Sequence, residues 1–173
     1  LVTADCPLIG IEPSAILTFR DEYIRLADDK ESAKKLAKNV FTIEEFFKKE
    51  ITSGKIHSEQ FSDIAKTIKI HGHCHQKSLS TIEATFTMLN VPKNSVVTIY
   101  NSGCCGMAGS FGYEKEHYEI SMQMGEDTLF PKIRASDTTT AIAAAGTSCR
   151  HQIFDGTNRK AMHPVSILKD CLK

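Results

Sequence analysis

The chain has 173 residues, 41% of them hydrophobic, which is the length of one domain and enough apolar side chain for one core. Lysine plus arginine and aspartate plus glutamate are balanced at 21 each, so there is no basic field for a phosphate backbone, no acidic tail, and no expectation of a nucleic-acid partner. No apolar run approaches the ~20 residues that span a bilayer, and no basic-then-apolar signal pattern opens the chain.

Taken in order, PLIGIE (Pro7 to Glu12) is a short apolar strand pattern, and Pro13 at the head of SAILTFRDEYIRLA predicts a helix starting directly after it. KESAKKLAKN predicts an amphipathic helix with Ala33, Leu36, Ala37 and Val40 on one face. TIEEFFKKEITSG follows as a helix capped by Thr42, with Glu45 closing a capping box and Gly54 past its end. TIKIHG (Thr67 to Gly72) is a strand, KSLSTIEATFTMLN a helix, and SVVTIY (Ser95 to Tyr100) another strand. YEKEHYEISMQMGEDTLF reads as one long helix from Tyr113 to Phe130, and TTTAIAAAG (Thr138 to Gly146) as a buried strand. A helix is expected near Ser148, and HPVSILKDCLK closes the chain as a last helix with Pro164 in its first turn. Alternation of this kind predicts an α/β fold, a mainly parallel sheet flanked by helices, with one domain over residues 1–173.

Six cysteines in a chain this rich in regular structure suggest metal or redox chemistry rather than disulfide staples. Cys74, Cys104, Cys105 and Cys149 each fall just past the carboxyl end of a predicted strand. In a parallel sheet those ends share one edge, where open α/β folds hold ligands, so the four thiols are expected to converge there. Cys6 and Cys171 lack this placement and are expected to be small buried hydrophobes.

Cys104 and Cys105 lie in YNSGCCGMAGSFGY, between Gly103 and Gly106. Neighbouring residues of a strand point to opposite faces, so both thiols reach one centre only from an irregular loop, which is the use expected of Gly103, Gly106 and Gly109. Thiolates are soft ligands for iron–sulfur clusters, zinc or copper(I), and backbone N–H groups of such a loop can stabilise them. In HGHCHQK, His71, His73 and His75 surround Cys74. Strand alternation would send the three histidines to one side and the cysteine to the other. Hydrogen bonding around the ligands is the role expected of His73 and His75, together with Gly103 and Gly106, ahead of direct ligation. His151, two residues after Cys149, is a further possible ligand.

A faint repeat is also present. LIGIEPSAILTF (Leu8 to Phe19) and IAAAGTSCRHQIF (Ile142 to Phe154) share the order apolar strand, turn containing Ser, helix, and aligning Ser14 with Ser148 puts Ala15 opposite Cys149. Residues 1–30 therefore read as the end of a first repeat and residues 65–173 as a second, in a piece of a longer protein.

GHCHQKSL, SGCCGMAGSFGYEKEHYEIS and GTSCRHQI…HP, in that order, resemble the C-terminal cysteine-rich, or CCG, domain of FAD-linked oxidases with iron–sulfur centres. The type is the D-lactate or D-2-hydroxyacid dehydrogenase, related to the iron–sulfur component of glycolate oxidase and to heterodisulfide reductase. The resemblance implies an iron–sulfur cluster, of 4Fe-4S type, on Cys74, Cys104, Cys105 and Cys149. It implies a parent flavoprotein whose FAD domain oxidises a 2-hydroxy acid, and whose other iron–sulfur domain and electron acceptor are this chain's partners. Its expected location is cytoplasmic or peripheral to the inner membrane. The family motif often ends in Cys-x-x-Cys, whereas Gln152 stands at the second position here. A thiolate–zinc structural or interaction module, and a metal-free redox domain cycling a Cys104–Cys105 disulfide, are the alternatives.

Overall fold

The computed structural model describes residues 1–173. Strand β1 (Leu8–Gly10) leads into α1 (Pro13–Ile16), a 3-10 turn over Leu17–Arg20, α2 (Glu22–Leu26), α3 (Lys30–Ala37), β2 (Val40–Thr42) and α4 (Ile43–Thr52). Then come β3 (Lys66–His71), α5 (Cys74–Leu79), α6 (Ile82–Leu89), β4 (Ser95–Ile99) and α7 (Tyr118–Arg134). The chain ends with β5 (Ala141–Ala144), α8 (Thr147–Thr157), β6 (Ala161–Met162) and α9 (Pro164–Lys169). The central sheet has the order β4-β3-β5-β6, all neighbours parallel, and a separate pair joins β1 to β2, also parallel. The fold is α/β, with parallel sheets flanked by helices.

Successive residues of the central strands feed opposite cores. Ile142 packs with Leu129, Phe130, Ile133 and Ile153 beneath α7 and α8. Its neighbour Ala143 joins Ile68, Ile70, Met88, Leu89 and Ile167 under α6 and α9. Apart from Ala143, each of these large apolar side chains is essentially sealed from water, which stabilises the fold by roughly 1.5–3 kcal/mol apiece. A third small core, Ile16, Leu17 and Val40, sits where β2 meets α1.

Several elements differ from the expectations of local pattern, each for a tertiary reason. The helix expected from Pro13 to Ala27 is broken into α1, a 3-10 turn and α2, because Arg20 turns inward to Glu45 at 2.6 Å and to the Val40 carbonyl at 2.6 Å. Val40 is not on a helix face: it is a buried strand residue paired with Leu8, where its β-branched side chain fits the pleat. The helix expected from Lys77 to Asn90 divides into α5 and α6, since Ser80 donates to Glu45 at 2.6 Å while Thr81 accepts from the Glu83 amide at 3.1 Å and caps α6. Helix α7 starts at Tyr118 rather than Tyr113, after a 3-10 turn at Phe111–Tyr113, and runs past Pro131 to Arg134. The capping box at Thr42 and Glu45 is present as read, with the Thr42 amide donating to Glu45 at 2.9 Å.

Candidate metal centre

Because β3, β4 and β5 run parallel, their carboxyl ends open on one edge of the sheet. Cys74 opens α5 just beyond β3, Cys104 and Cys105 lie in the loop after β4, and Cys149 is in the first turn of α8 after β5. The four sulfurs meet there: Cys74 Sγ is 3.7 Å from Cys104 Sγ, and Cys105 Sγ is 3.4 Å from Cys149 Sγ. The cluster has an outer half and an inner half. Cys74 is exposed and Cys104 half-buried, whereas Cys105 and Cys149 are buried.

The CCG loop is held against α7 and α8. Gly106 has φ +98°, and a Cβ there would lie 2.0 Å from the Ser121 carbonyl oxygen, so both its conformation and its packing require glycine. Its amide donates to Cys104 Sγ at 3.3 Å, and its carbonyl accepts from Ser121 Oγ at 2.9 Å. Gln152 Nε2 in turn donates to Ser121 Oγ at 2.8 Å and to the Ser121 carbonyl at 3.1 Å. The side chain at the Cys-x-x-Cys position is thus a clamp between α7 and α8. Gly103 corrects an expectation, since its φ is not positive and its amide instead donates to Thr128 Oγ1 at 3.0 Å.

The histidines do not alternate as a strand would place them, because β3 ends at His71 and α5 begins three residues later. His71 is 1% exposed, its Nδ1 lies 3.1 Å from Ser102 Oγ, and its Nε2 has no hydrogen-bond partner. With Cys105 and Cys149 it forms a trio whose donor atoms all lie within 4.8 Å of one another. His73 caps α5 by accepting from the His75 amide at 3.2 Å, and its ring stacks on that of His75 with centroids 5.5 Å apart. It also crowds Gly146, where a Cβ would meet the His73 ring at 2.3 Å. His151 is turned away: it is exposed and its Nδ1 is bound to the Tyr113 hydroxyl at 2.6 Å. Cys171 is buried and donates to the Ile167 carbonyl at 3.3 Å, in keeping with a packing role. Cys6 corrects its expectation. It is exposed, in a turn closed by its own amide on the Thr3 carbonyl, with no core above it.

Proton sharing divides the thiols by type. The Cys105 thiol donates to Cys149, and although burial opposes it, this bond with help from His71 brings the Cys149 thiol down to about 5. Hydrogen bonds from Cys105 and Cys74, and then from the Gly106 amide, hold Cys104 well below the ordinary thiol range. The two donors are pushed the other way, Cys74 by its bond to Cys104 and by burial, Cys105 by its bonds to Cys104 and Cys149 and by burial. Cys104 and Cys149 are thus the more acidic members of the two pairs, and Cys74 and Cys105 the less acidic. A soft cation would complete the deprotonation and release the thiol protons. The donor set fits a thiophilic metal or iron–sulfur group: converging sulfurs, an N–H aimed at one of them, and a buried ring nitrogen with no partner.

Over 96% of its length the chain aligns, at 30% identity, with D-2-hydroxyglutarate dehydrogenase from Haemophilus influenzae. It aligns at 27% identity over 95% of its length with the Pseudomonas putida protein of the same name. One component of the anaerobic glycerol-3-phosphate dehydrogenase of Escherichia coli aligns at 25% identity over 96% of the chain. The chain fits a CCG domain of the FAD-linked oxidase family. It spans 16%, 15% and 40% of those three relatives, a segment of each. No family model and no solved structure matches the chain. Beyond the cysteines, Ser102, Ser121 and His71's separate position escaped the sequence reading. Only the proximity of Ser102 to the CCG run hinted at any of them.

Proposed function

We propose that this chain is the iron–sulfur, electron-transferring domain of an FAD-dependent 2-hydroxyacid oxidoreductase, with Cys74, Cys104, Cys105 and Cys149 as its thiolate ligands. The observation that carries the reading is the convergence of these four sulfurs, from three separate strand ends, into two contacting pairs. A bound iron–sulfur cluster supplies one-electron transfer between donor and acceptor. The chain's own residues hold and screen it. The Gly106 amide offsets charge on Cys104, and Cys105 and Cys149 exclude water from the inner half while Cys74 and Cys104 face the surface. That outer side is where an electron partner would approach. A cluster of 4Fe-4S type suits the number of thiols.

The relatives' names point to D-2-hydroxy acids or glycerol 3-phosphate as parent substrates; D-lactate belongs to the former class, and glycolate is its achiral 2-hydroxy-acid analogue. On this reading the FAD domain, a second iron–sulfur domain and the acceptor are partners supplied by the rest of a cytoplasmic parent protein. The β1–α1 turn repeats the β5–α8 turn, which supports residues 1–30 as the end of a first repeat. No helix is long and apolar enough to cross a membrane.

A closed zinc site is the second reading, favoured by the compact trio of His71, Cys105 and Cys149. Anaerobic purification with iron, acid-labile sulfide and zinc counted separates the two. Iron with matching sulfide and a brown colour is the expected result; zinc without sulfide, or no metal, would remove the electron-transfer reading.

A further inference from the structure

We infer that His71 is a direct nitrogen ligand of the centre, bound through Nε2 beside Cys105 and Cys149, so that the inner half of the site is a mixed nitrogen–sulfur one. The inference rests on the metal-centre reading above and adds a donor to it.

His71 Nε2 is a buried polar atom without a partner, in a side chain 1% exposed. Leaving a buried donor or acceptor unpaired costs roughly 1–3 kcal/mol, so such an atom is kept where something binds it. Its surroundings say what. The donor atoms of Cys105 and Cys149 both lie within 4.8 Å, and His71 Nε2 makes no hydrogen bond of standard length and angle to either. Ligands about 2.0–2.3 Å from a shared tetrahedral metal sit roughly 3.5 Å from one another, a spacing the Cys105–Cys149 pair already has at 3.4 Å.

The other face of the ring is arranged as metal-binding imidazoles are. Nδ1 sits 3.1 Å from Ser102 Oγ, and with Nδ1 donating to that oxygen the tautomer is fixed and the Nε2 lone pair is turned to the thiols. The ring is carried on rigid backbone, since His71 is the last residue of β3 and is registered against Ala144 of β5. Ser102 itself is drawn in by Lys77, whose ammonium donates to the Ser102 carbonyl at 3.0 Å. Meanwhile Gln152 is committed to Ser121, so the second position of the Cys-x-x-Cys motif offers no ligand here. His71 is the one remaining nitrogen or sulfur donor grouped with the inner thiols.

A neutral imidazole as the added donor brings no negative charge to the centre, where a further thiolate, such as a cysteine at position 152, would bring one. As in other mixed histidine–cysteine centres, this raises the reduction potential relative to an all-thiolate site.

The test is anaerobic reconstitution of the 173-residue chain with ferrous iron and sulfide, and separately with cobalt(II) alone, using protein labelled with 15N-histidine. Wild type should show a strongly coupled histidine nitrogen by pulsed paramagnetic resonance. His71→Ala should lose that coupling, and His71→Cys should lose it while keeping iron and shifting the potential downward. Ser102→Ala, which leaves the ring in place, should weaken metal binding by roughly 10–100-fold. A wild-type centre that loads iron but shows no coupled histidine nitrogen overturns the inference and leaves the iron–sulfur reading standing. Cobalt bound with the histidine coupling, but no iron and sulfide, does the reverse. Failure to bind either metal overturns both.

Discussion

Glu12 and Thr147, 135 positions apart, are joined twice: the Glu12 carboxylate accepts from the Thr147 amide and from its hydroxyl, both at 2.9 Å. Thr147 is the first residue of α8, so a side chain from the β1–α1 turn caps the helix that carries Cys149. Burial alone would raise the Glu12 carboxyl, but hydrogen bonds from Thr147 and Ser14 outweigh it and hold the group below its ordinary value. That contribution is present above the usual carboxylate range and fades as pH falls through the lowered value. Glu12→Ala should lower stability near neutral pH by about 1 kcal/mol, read as a fall in the urea midpoint at unchanged slope. An unchanged midpoint would mean the α8 terminus does not depend on the carboxylate.

The six thiols of the metal-free chain should differ in reactivity in a set order. Cys104 combines a strongly lowered ionisation with partial exposure, and should be alkylated fastest by iodoacetamide near neutral pH. Cys105, Cys149 and Cys171 are buried and should react only on unfolding, while Cys6 and Cys74 are exposed thiols of intermediate rate. Metal loading should protect Cys74 and Cys104 and leave Cys6 untouched, which makes Cys6 an internal control. Peptide mapping after timed labelling checks this. Equal protection of Cys6 would point to global stiffening rather than ligation.

The cysteine convergence was legible because it depends only on strand order and direction. Three apolar strand patterns, each followed by a thiol, are enough once the sheet is parallel. Helix breaks were not legible, because they depend on distant partners: Arg20 and Ser80 both leave their helical paths for Glu45. Val40 was misread because an i, i+3, i+4 spacing continues into it, while its pairing with Leu8 is a long-range event. His71 could not be separated from His73 and His75 by local pattern. The end of β3 at His71 and the position of Ser102 in the next loop decide which ring meets the thiols.

Gly106→Ala should disable the centre without unfolding the domain. The added methyl would meet the Ser121 carbonyl at 2.0 Å and would also have to accept φ +98°. The loop must move to relieve this, which withdraws the Gly106 amide from Cys104 and separates the outer and inner thiol pairs. Far-ultraviolet circular dichroism should be preserved while metal uptake falls at least ~10-fold, by analogy with lost support around other metal ligands. Normal uptake would show that the loop tolerates rearrangement.

Stability of the metal-free chain should fall between pH 4.5 and about 7 because of Glu44. This carboxyl is fully buried, both its oxygens lack hydrogen-bond partners, and burial pushes it up from 4.5 to about 7. Glu45 and Glu12 add repulsion, and His163 Nε2, the nearest candidate cation, is 3.8 Å away. Burial lowers the His163 ring below the ordinary imidazole value, which weakens it as a compensating cation. The folded chain therefore binds more protons than the unfolded one across that window, and stability declines as pH rises. Glu44→Gln, which cannot ionise, should flatten the decline and gain roughly 1–3 kcal/mol over wild type at about pH 8. Parallel pH profiles for the two proteins would exclude an ionised, buried Glu44 as the cause.

In the parent enzyme, electron flow should depend on Cys104 and Cys105 while flavin reduction should not. Cys104→Ser and Cys105→Ser each replace a soft thiolate by a poorly acidic hydroxyl, which binds iron weakly, so the centre should be lost or its potential shifted. The sheet beneath should survive, because serine is close in volume to cysteine and Cys105, though a member of the core under the loop, lies among the much larger Leu129, Phe130, Ile133 and Ile142. Given a 2-hydroxy acid, each mutant parent should still bleach its FAD in a single turnover, yet steady-state transfer to the physiological acceptor should drop by orders of magnitude. Cys171→Ser is the control, since that thiol touches only the Ile167 carbonyl and the apolar core around it; a small loss of stability with normal turnover is expected. Full turnover in both CCG mutants would take electron transfer away from this loop and leave a structural site, held by Cys74 and Cys149 with His71, as the remaining role for the cluster.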